Sequence, residues 1–171
     1  MKKFIFPGSF DPFTNGHKAI VDQTYNLCDE FIIALATNLK KGDGLIKRSE
    51  RVGIIKEIFK DYPNIKVVDI SDTLISDYCK QNNIDYIVRG IRDIADFSYE
   101  KELAAANYYV GDHIQTMFVL GFCEPVGVNI SSTFVRELVH YGLPIDGLVP
   151  PAVDKYINSI PPSAIPLISP K

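Results

Sequence analysis

Short uninterrupted apolar runs alternate along this chain with longer segments in which apolar residues return at helical spacing. The first run, Phe4-Ile5-Phe6, predicts a strand. A helical pattern follows from about Gly16 to Leu27, with Ala19, Ile20, Tyr25 and Leu27 on its inner side. Phe31 to Ala36 has no polar interruption, the mark of a strand covered on both faces. Ser49-Glu50-Arg51 opens a second helix in which Val52, Ile55, Ile58 and Phe59 share a face, and Tyr62-Pro63-Asn64 ends it. Ile65 to Ile70 predicts a third strand. Asp72 to Gln81 predicts a helix with Leu74, Ile75 and Tyr78 turned inward. Ile84 to Val88 is the fourth strand, helix signals resume around Asp96 and run to Val110, and Thr116 to Leu120 is the fifth strand.

Beyond an irregular Gly- and Pro-bearing stretch, "ISSTFVRELVHYG" reads as a helix with Ser131 or Ser132 at its N-cap and Gly142 at its stop. Pro151 suits the first turn of a last helix reaching about Ser159. The tail from 161 to 171 is rich in proline and is expected to be extended. Strands alternating with helices predict one α/β domain over residues 1–160, a doubly wound, Rossmann-like parallel sheet of five strands with C-terminal helices. The usual order for such a sheet is 3-2-1-4-5, which sets strand 1 beside strand 4 and places ligands beyond their carboxyl ends. The two loops richest in chemistry, "GSFDPFTNGH" and "RGIRD", follow those two strands.

Composition narrows the function. The 171 residues carry 18 basic and 21 acidic side chains, a formal net charge of -3, so the basic excess of a sequence-independent nucleic-acid binder is missing. No apolar run reaches the roughly 18 residues of a membrane span, and Pro7-Gly8 interrupts the N-terminus before a signal-peptide core could form. Cys28, Cys79 and Cys123 are far apart and odd in number. They suit small buried thiols in a reducing cytoplasm rather than a disulfide framework.

The first loop fits neither the Walker A nor the dinucleotide GxGxxG pattern. It does hold a glycine that lets backbone approach a ligand, the small donor Ser9, and Gly16-His17 at a helix start, where outward amides favour anions. With Thr14, Gly16 and His17, it resembles the first signature of the nucleotidylyltransferase superfamily that carries a [T/H]xGH motif. "ISSTFVRE", residues 130–137, is similar to that superfamily's second signature, ISSTxxR. "RGIRDIADFSYE", residues 89–100, resembles a block of the bacterial phosphopantetheine adenylyltransferases. These motifs stand in the family's order, and the family's length and element order cover nearly the whole chain.

The resemblance implies transfer of AMP from ATP to 4'-phosphopantetheine, giving dephospho-coenzyme A and pyrophosphate. It also implies Mg2+ carried with ATP, coenzyme A as a further occupant of the pocket, and a homo-oligomer, a hexamer. By the same resemblance His17, Lys41 and Arg92 are catalytic. Ser9, Phe10, His17, Gly90, Ile91, Arg92 and Glu100 touch ATP, as do Gly127, Val128, Asn129, Ile130, Ser131, Ser132 and Thr133. Ser9, Lys41, Ile75 and Arg89 touch the acceptor, with Leu74 beside Ile75 on an apolar wall and Arg136 adding charge toward the phosphates. Other readings of these residues stand open. Lys40 competes with Lys41, Arg89 and Arg92 could pair with Asp93 or Asp96, and Glu100 could be a partner within its own helix. "PVGVN", residues 125–129, departs from the aromatic stretch usual before ISS, which leaves backbone contacts there but no ring stacking. A sister transferase acting on nicotinamide mononucleotide, or on glycerol 3-phosphate with CTP, is the alternative enzyme; a nucleotide sensor without turnover is the alternative binding protein.

Overall fold

The structure, a computed structural model, describes residues 1–36, 44–70, 72–121 and 130–165. Five strands, β1 (Lys3–Gly8), β2 (Glu30–Leu35), β3 (Ile65–Asp69), β4 (Tyr86–Ile91) and β5 (Gln115–Leu120), alternate with helices α1 (Asn15–Thr24), α2 (Arg48–Ile58), α3 (Ile75–Asn82) and α4 (Ile94–Val110). Helices α5 (Ser132–His140) and α6 (Pro151–Ser159) follow. The sheet is parallel throughout, in the order 3-2-1-4-5. No described helix is long and apolar enough to cross a membrane.

The uninterrupted apolar run of β2 resolves into two faces because successive side chains of a strand point to opposite sides. Phe31, Ile33 and Leu35 join Phe4 and Phe6 of β1 in one core, which includes Ile55 of α2, Val135 of α5 and Val153 of α6. Ile32 and Ala34 join Ile5 of β1 and Ile87 of β4 in the other, beneath Cys79 of α3 and Ile114. Both faces are covered, so β1 from Phe4 to Pro7 and β2 from Phe31 to Leu35 had to be apolar, and the end of β1 is held rigidly where the first loop begins.

Several expectations are corrected. Leu27 is 53% exposed, because α1 ends at Thr24 and a 3-10 turn over Tyr25–Leu27 breaks the helical phase before Leu27. Leu74 is 66% exposed: it is the extended residue capping α3 and lies outside the helix whose periodicity placed it inward. Arg89, Gly90 and Ile91 belong to β4 itself, paired with Phe118, Val119 and Leu120 of β5, so the fourth "loop" begins only at Arg92. The tail opens with a 3-10 turn at Pro162–Ala164 instead of extended chain, a geometry proline's fixed φ accommodates at a first turn.

Cys79 is 1% exposed, and burial pushes its thiol from 9.0 up to about 12. An unfolded chain releases this proton first, so between those values the unfolded state binds fewer protons and stability falls as pH rises. The limiting slope is about 1.4 kcal/mol per pH unit. Denaturant titrations above pH 9 should show a flatter decline for Cys79→Ala than for the wild type; parallel declines would contradict the burial argument.

Candidate active site

The loop after β1 takes its shape from one unusual residue. Phe10 has φ of +47°, in the left-handed region that a bulky side chain enters at a cost of about 1–3 kcal/mol. Its ring is 2% exposed and meets the rings of Phe6, Phe13 and His17 at centroid distances of 5.3, 5.3 and 5.1 Å. A Cβ on Gly8 would lie 2.7 Å from that ring, so glycine is what lets Phe10 fold back under β1. Four carbonyls at the end of β1 and in the loop accept from side chains elsewhere. Pro7 O accepts from Arg89 Nη1 at 2.8 Å, Ser9 O from Arg51 Nη1 at 2.8 Å, Asp11 O from Arg136 Nη1 at 2.5 Å and Pro12 O from Ser132 Oγ at 2.9 Å.

His17 closes a capping box at the start of α1. Its own amide donates to Thr14 Oγ1, while its Nδ1 stands 3.0 Å from the Thr14 amide. A backbone N–H can only donate, so Nδ1 must accept, and in the neutral ring the proton sits on Nε2. The imidazole is therefore fixed in rotamer and tautomer with a donor at its far edge. Gly16 serves a different need: a Cβ there would sit 3.0 Å from Ile130 O, where the start of α1 passes the chain entering α5. The α5 start is capped by Ser131, whose Oγ accepts from the Phe134 amide at 3.1 Å. Ser132 hooks the same turn to the first loop. Two helix N-termini, each favouring anions, thus open side by side.

Arg89 and Glu100 form a fork. Arg89 Nε and Nη2 donate to the two Glu100 oxygens at 2.6 and 2.5 Å, and Glu100 is 5% exposed. Both carboxylate oxygens thus face an arginine on β4 rather than a partner on α4. Arg92, just past β4, donates from Nε and Nη2 to Asp96 at 3.2 and 3.1 Å, and these bonds hold its guanidinium above the ordinary value. Asp96 is aligned in turn by the α4 start, where Asp93 caps its amide at 2.7 Å.

A cavity of about 570 Å³ lies beyond the carboxyl ends of β1 and β4. Ser9, Phe10 and His17 line it from the first loop and α1, and Arg89, Gly90, Ile91 and Arg92 from β4 and its exit. Ile75, Glu100 and the run Ile130, Ser131, Ser132 and Thr133 also line it. Leu74 and Arg136 are not among the lining residues. Arg136 is drawn instead to the Asp11 carbonyl and the Thr133 hydroxyl. Lys40, Lys41, Gly127, Val128 and Asn129 lie outside the described residues.

The cytidylyltransferase-like family pattern matches residues 5–138 of this chain. A phosphopantetheine adenylyltransferase of Symbiobacterium thermophilum is 38% identical over 88% of this chain and 91% of its own length. One of Geobacter metallireducens is 40% identical over 89% and 91%. The chain belongs to the phosphopantetheine adenylyltransferase family. A solved structure from Vibrio parahaemolyticus, provisionally named a nicotinate-nucleotide adenylyltransferase, shares the fold with a TM-score of 0.66 at 19% identity, over 93% of this chain and all of that one.

In this phosphopantetheine adenylyltransferase family member, two site-building residues escaped sequence reasoning. Asp11 is 5% exposed, and its carboxylate accepts the Leu45 and Ile46 amides at 2.9 Å each. Arg51 stands 3.5 Å from the same carboxylate, and burial pulls its guanidinium below the ordinary value while Asp11 opposes that shift. Arg51 reads in the sequence as one more polar position on α2, and a partner on another loop leaves no local trace.

Proposed function

We propose that this protein transfers the adenylyl group of ATP to the phosphate of 4'-phosphopantetheine, forming dephospho-coenzyme A and pyrophosphate. The observation that carries the reading is the convergence of His17, Arg89, Arg92 and the start of α5 on one cavity at the β1–β4 seam. A phosphate monoester has a second pKa near 6, so the acceptor is mostly a dianion at neutral pH and needs no general base. One of its oxygens attacks the α-phosphorus; a P–O bond forms there as the bond to the oxygen bridging the β-phosphate breaks, and pyrophosphate leaves. Catalysis is then positioning and charge stabilisation.

In this reading Nε2–H of His17 donates to the α-phosphate as charge builds on its oxygens, and Arg92 with the α5 amides holds the outer phosphates. Arg89, fixed by Glu100, receives the acceptor phosphate, with Ser9 between the two ligands and Ile75 beside the pantetheine arm. Lys41 adds a cation on the acceptor side. Mg2+ arrives as the counter-ion of ATP, part of the substrate. Coenzyme A, which shares the acceptor's arm, is a candidate competitor for the pocket.

A homo-oligomer, specifically a hexamer, belongs to the same proposal. The support is the α4–β5 edge: Ile94 and Tyr109 of α4 are 85% and 82% exposed, and Leu120 of edge strand β5 is 54% exposed. Light scattering that finds a monomer would contradict it. Cys28 and Cys79 are free thiols, which suits the cytoplasm as the compartment. The activity is tested by offering ATP with each acceptor in turn. Pyrophosphate and dephospho-coenzyme A should form with 4'-phosphopantetheine. Release with nicotinamide mononucleotide instead, or CTP-dependent release with glycerol 3-phosphate, would reject the reading; nucleotide binding without turnover on any acceptor would point to a sensor.

A further inference from the structure

The geometry points to Arg51, held by Asp11, as a positioning residue that fixes the Ser9–Phe10 peptide for catalysis. The inference rests on the adenylyl-transfer reading for its kinetic consequence, and on the loop's geometry alone for its structural one.

Arg51 does not line the cavity, whereas Ser9 and Phe10 both do. Its guanidinium makes three contacts from one rigid plane: Nε donates to Ile46 O at 2.7 Å, Nη1 donates to Ser9 O at 2.8 Å, and the Asp11 carboxylate lies 3.5 Å away. The Asp11 oxygens are in turn held by the Leu45 and Ile46 amides. A Cβ on Gly44 would fall 2.4 Å from Asp11 Oδ2 and 2.5 Å from Arg51 Nη2, so the backbone at that glycine is packed directly against the pair. The result is a largely buried lattice built between the first loop, the chain entering α2 and α2 itself.

The lattice acts on one peptide plane. The Ser9–Phe10 peptide is trans, so its C=O and N–H point in opposite directions. Pinning the Ser9 carbonyl to Arg51 therefore turns the Phe10 N–H away from Arg51. Phe10 holds its φ of +47° only because the surroundings impose it. Its ring is locked by packing against Phe6, Phe13 and His17, and its peptide is locked by Arg51. Without Arg51 the ring could stay while the peptide plane rotates, which would bring the electronegative Ser9 carbonyl toward arriving phosphates.

Lysine cannot replace this arrangement, since a single ammonium cannot span a carbonyl of each loop and the carboxylate in one plane. Removing Asp11 would leave Arg51 buried and uncompensated, so the informative variants are at Arg51.

The test compares the wild type, Arg51→Ala and Arg51→Lys in ATP-dependent adenylylation of 4'-phosphopantetheine, alongside amide spectra of protein labelled with 15N-phenylalanine. In folded Arg51→Ala, kcat should fall about tenfold to a hundredfold. The Phe10 amide resonance should shift, and added guanidinium ion should restore part of kcat at concentrations that leave the wild type unchanged. If Arg51→Ala does not fold, Arg51→Lys decides the matter through a lowered kcat with a shifted Phe10 resonance. Wild-type kcat in either folded variant, or an unmoved Phe10 resonance, would overturn the inference. So would a loss that follows the unfolded fraction and ignores guanidinium. A wild type that binds ATP but does not adenylylate phosphopantetheine would sink the functional reading, and the Phe10 resonance would still decide the positioning role.

Discussion

Replacing His17 by alanine should lower kcat by about a hundred- to a thousandfold, the usual effect of deleting one preorganised donor at a centre where charge develops. The fold should survive. The Thr14 hydroxyl still caps the His17 position's amide, and the losses include the Nδ1 contacts with the Thr14 amide and hydroxyl and one ring among several. The affinity for ATP should change little, because a donor whose contact strengthens only as the α-phosphorus becomes pentacoordinate contributes to the transition state and not to the ground state. Steady-state kinetics separates the cases: a rise in KM with kcat unchanged would make His17 an ordinary ground-state ligand. His17→Asn, which keeps a donor but not the ring's reach, should recover only part of the rate.

The second large effect is expected at Glu100. Both its oxygens engage Arg89, and Arg89's remaining contact is the Pro7 carbonyl. In Glu100→Gln the amide nitrogen would face an arginine donor, leaving one half of the fork broken in a buried place. Disrupting a buried pair by removing one charged partner typically costs about 3–5 kcal/mol, and the isosteric glutamine should fall at or below the lower end. The kinetic signature is more informative than the stability loss. If Glu100 acts by aiming Arg89 at the acceptor, KM for 4'-phosphopantetheine should rise about tenfold or more while KM for ATP changes much less. A rise confined to ATP would instead identify Glu100 as a direct nucleotide contact.

These two residues also show which parts of the molecule can be seen in a sequence. The place of His17 in the cavity was legible because the motif is local: Thr14, Gly16 and His17 fall within one turn, and the capping box that fixes the ring is made from neighbours. The sheet was legible for a similar reason. The unbroken apolar run of β2 could only be a strand covered on both sides, and alternation with helices set β1 beside β4. Ser131 and Pro151 marked the starts of α5 and α6 through the physics of helix termini.

What escaped reading was made by contacts between distant segments. Glu100 looks, along the chain, like a helix residue in search of a neighbour on its own helix, yet its partner stands 11 positions back on a strand. Asp11 accepts amides 34 and 35 positions away, and no periodicity encodes that. Leu27 and Leu74 failed for the opposite reason. Helical spacing was extended past the point where the backbone leaves the helix, so a correct period was applied to residues that no longer follow it. Arg136 shows the same limit in a charged side chain. Its position on α5 suited a phosphate contact, but the Asp11 carbonyl lies within its reach and takes it.

The most direct measurement is a crystal structure with a non-hydrolysable ATP analogue and 4'-phosphopantetheine bound together. The account predicts the α-phosphate within hydrogen-bonding distance of His17 Nε2, the outer phosphates against Arg92 and the start of α5, and the acceptor phosphate on Arg89. A nucleotide whose phosphates lie away from the β1–β4 seam, with His17 touching neither ligand, would contradict it.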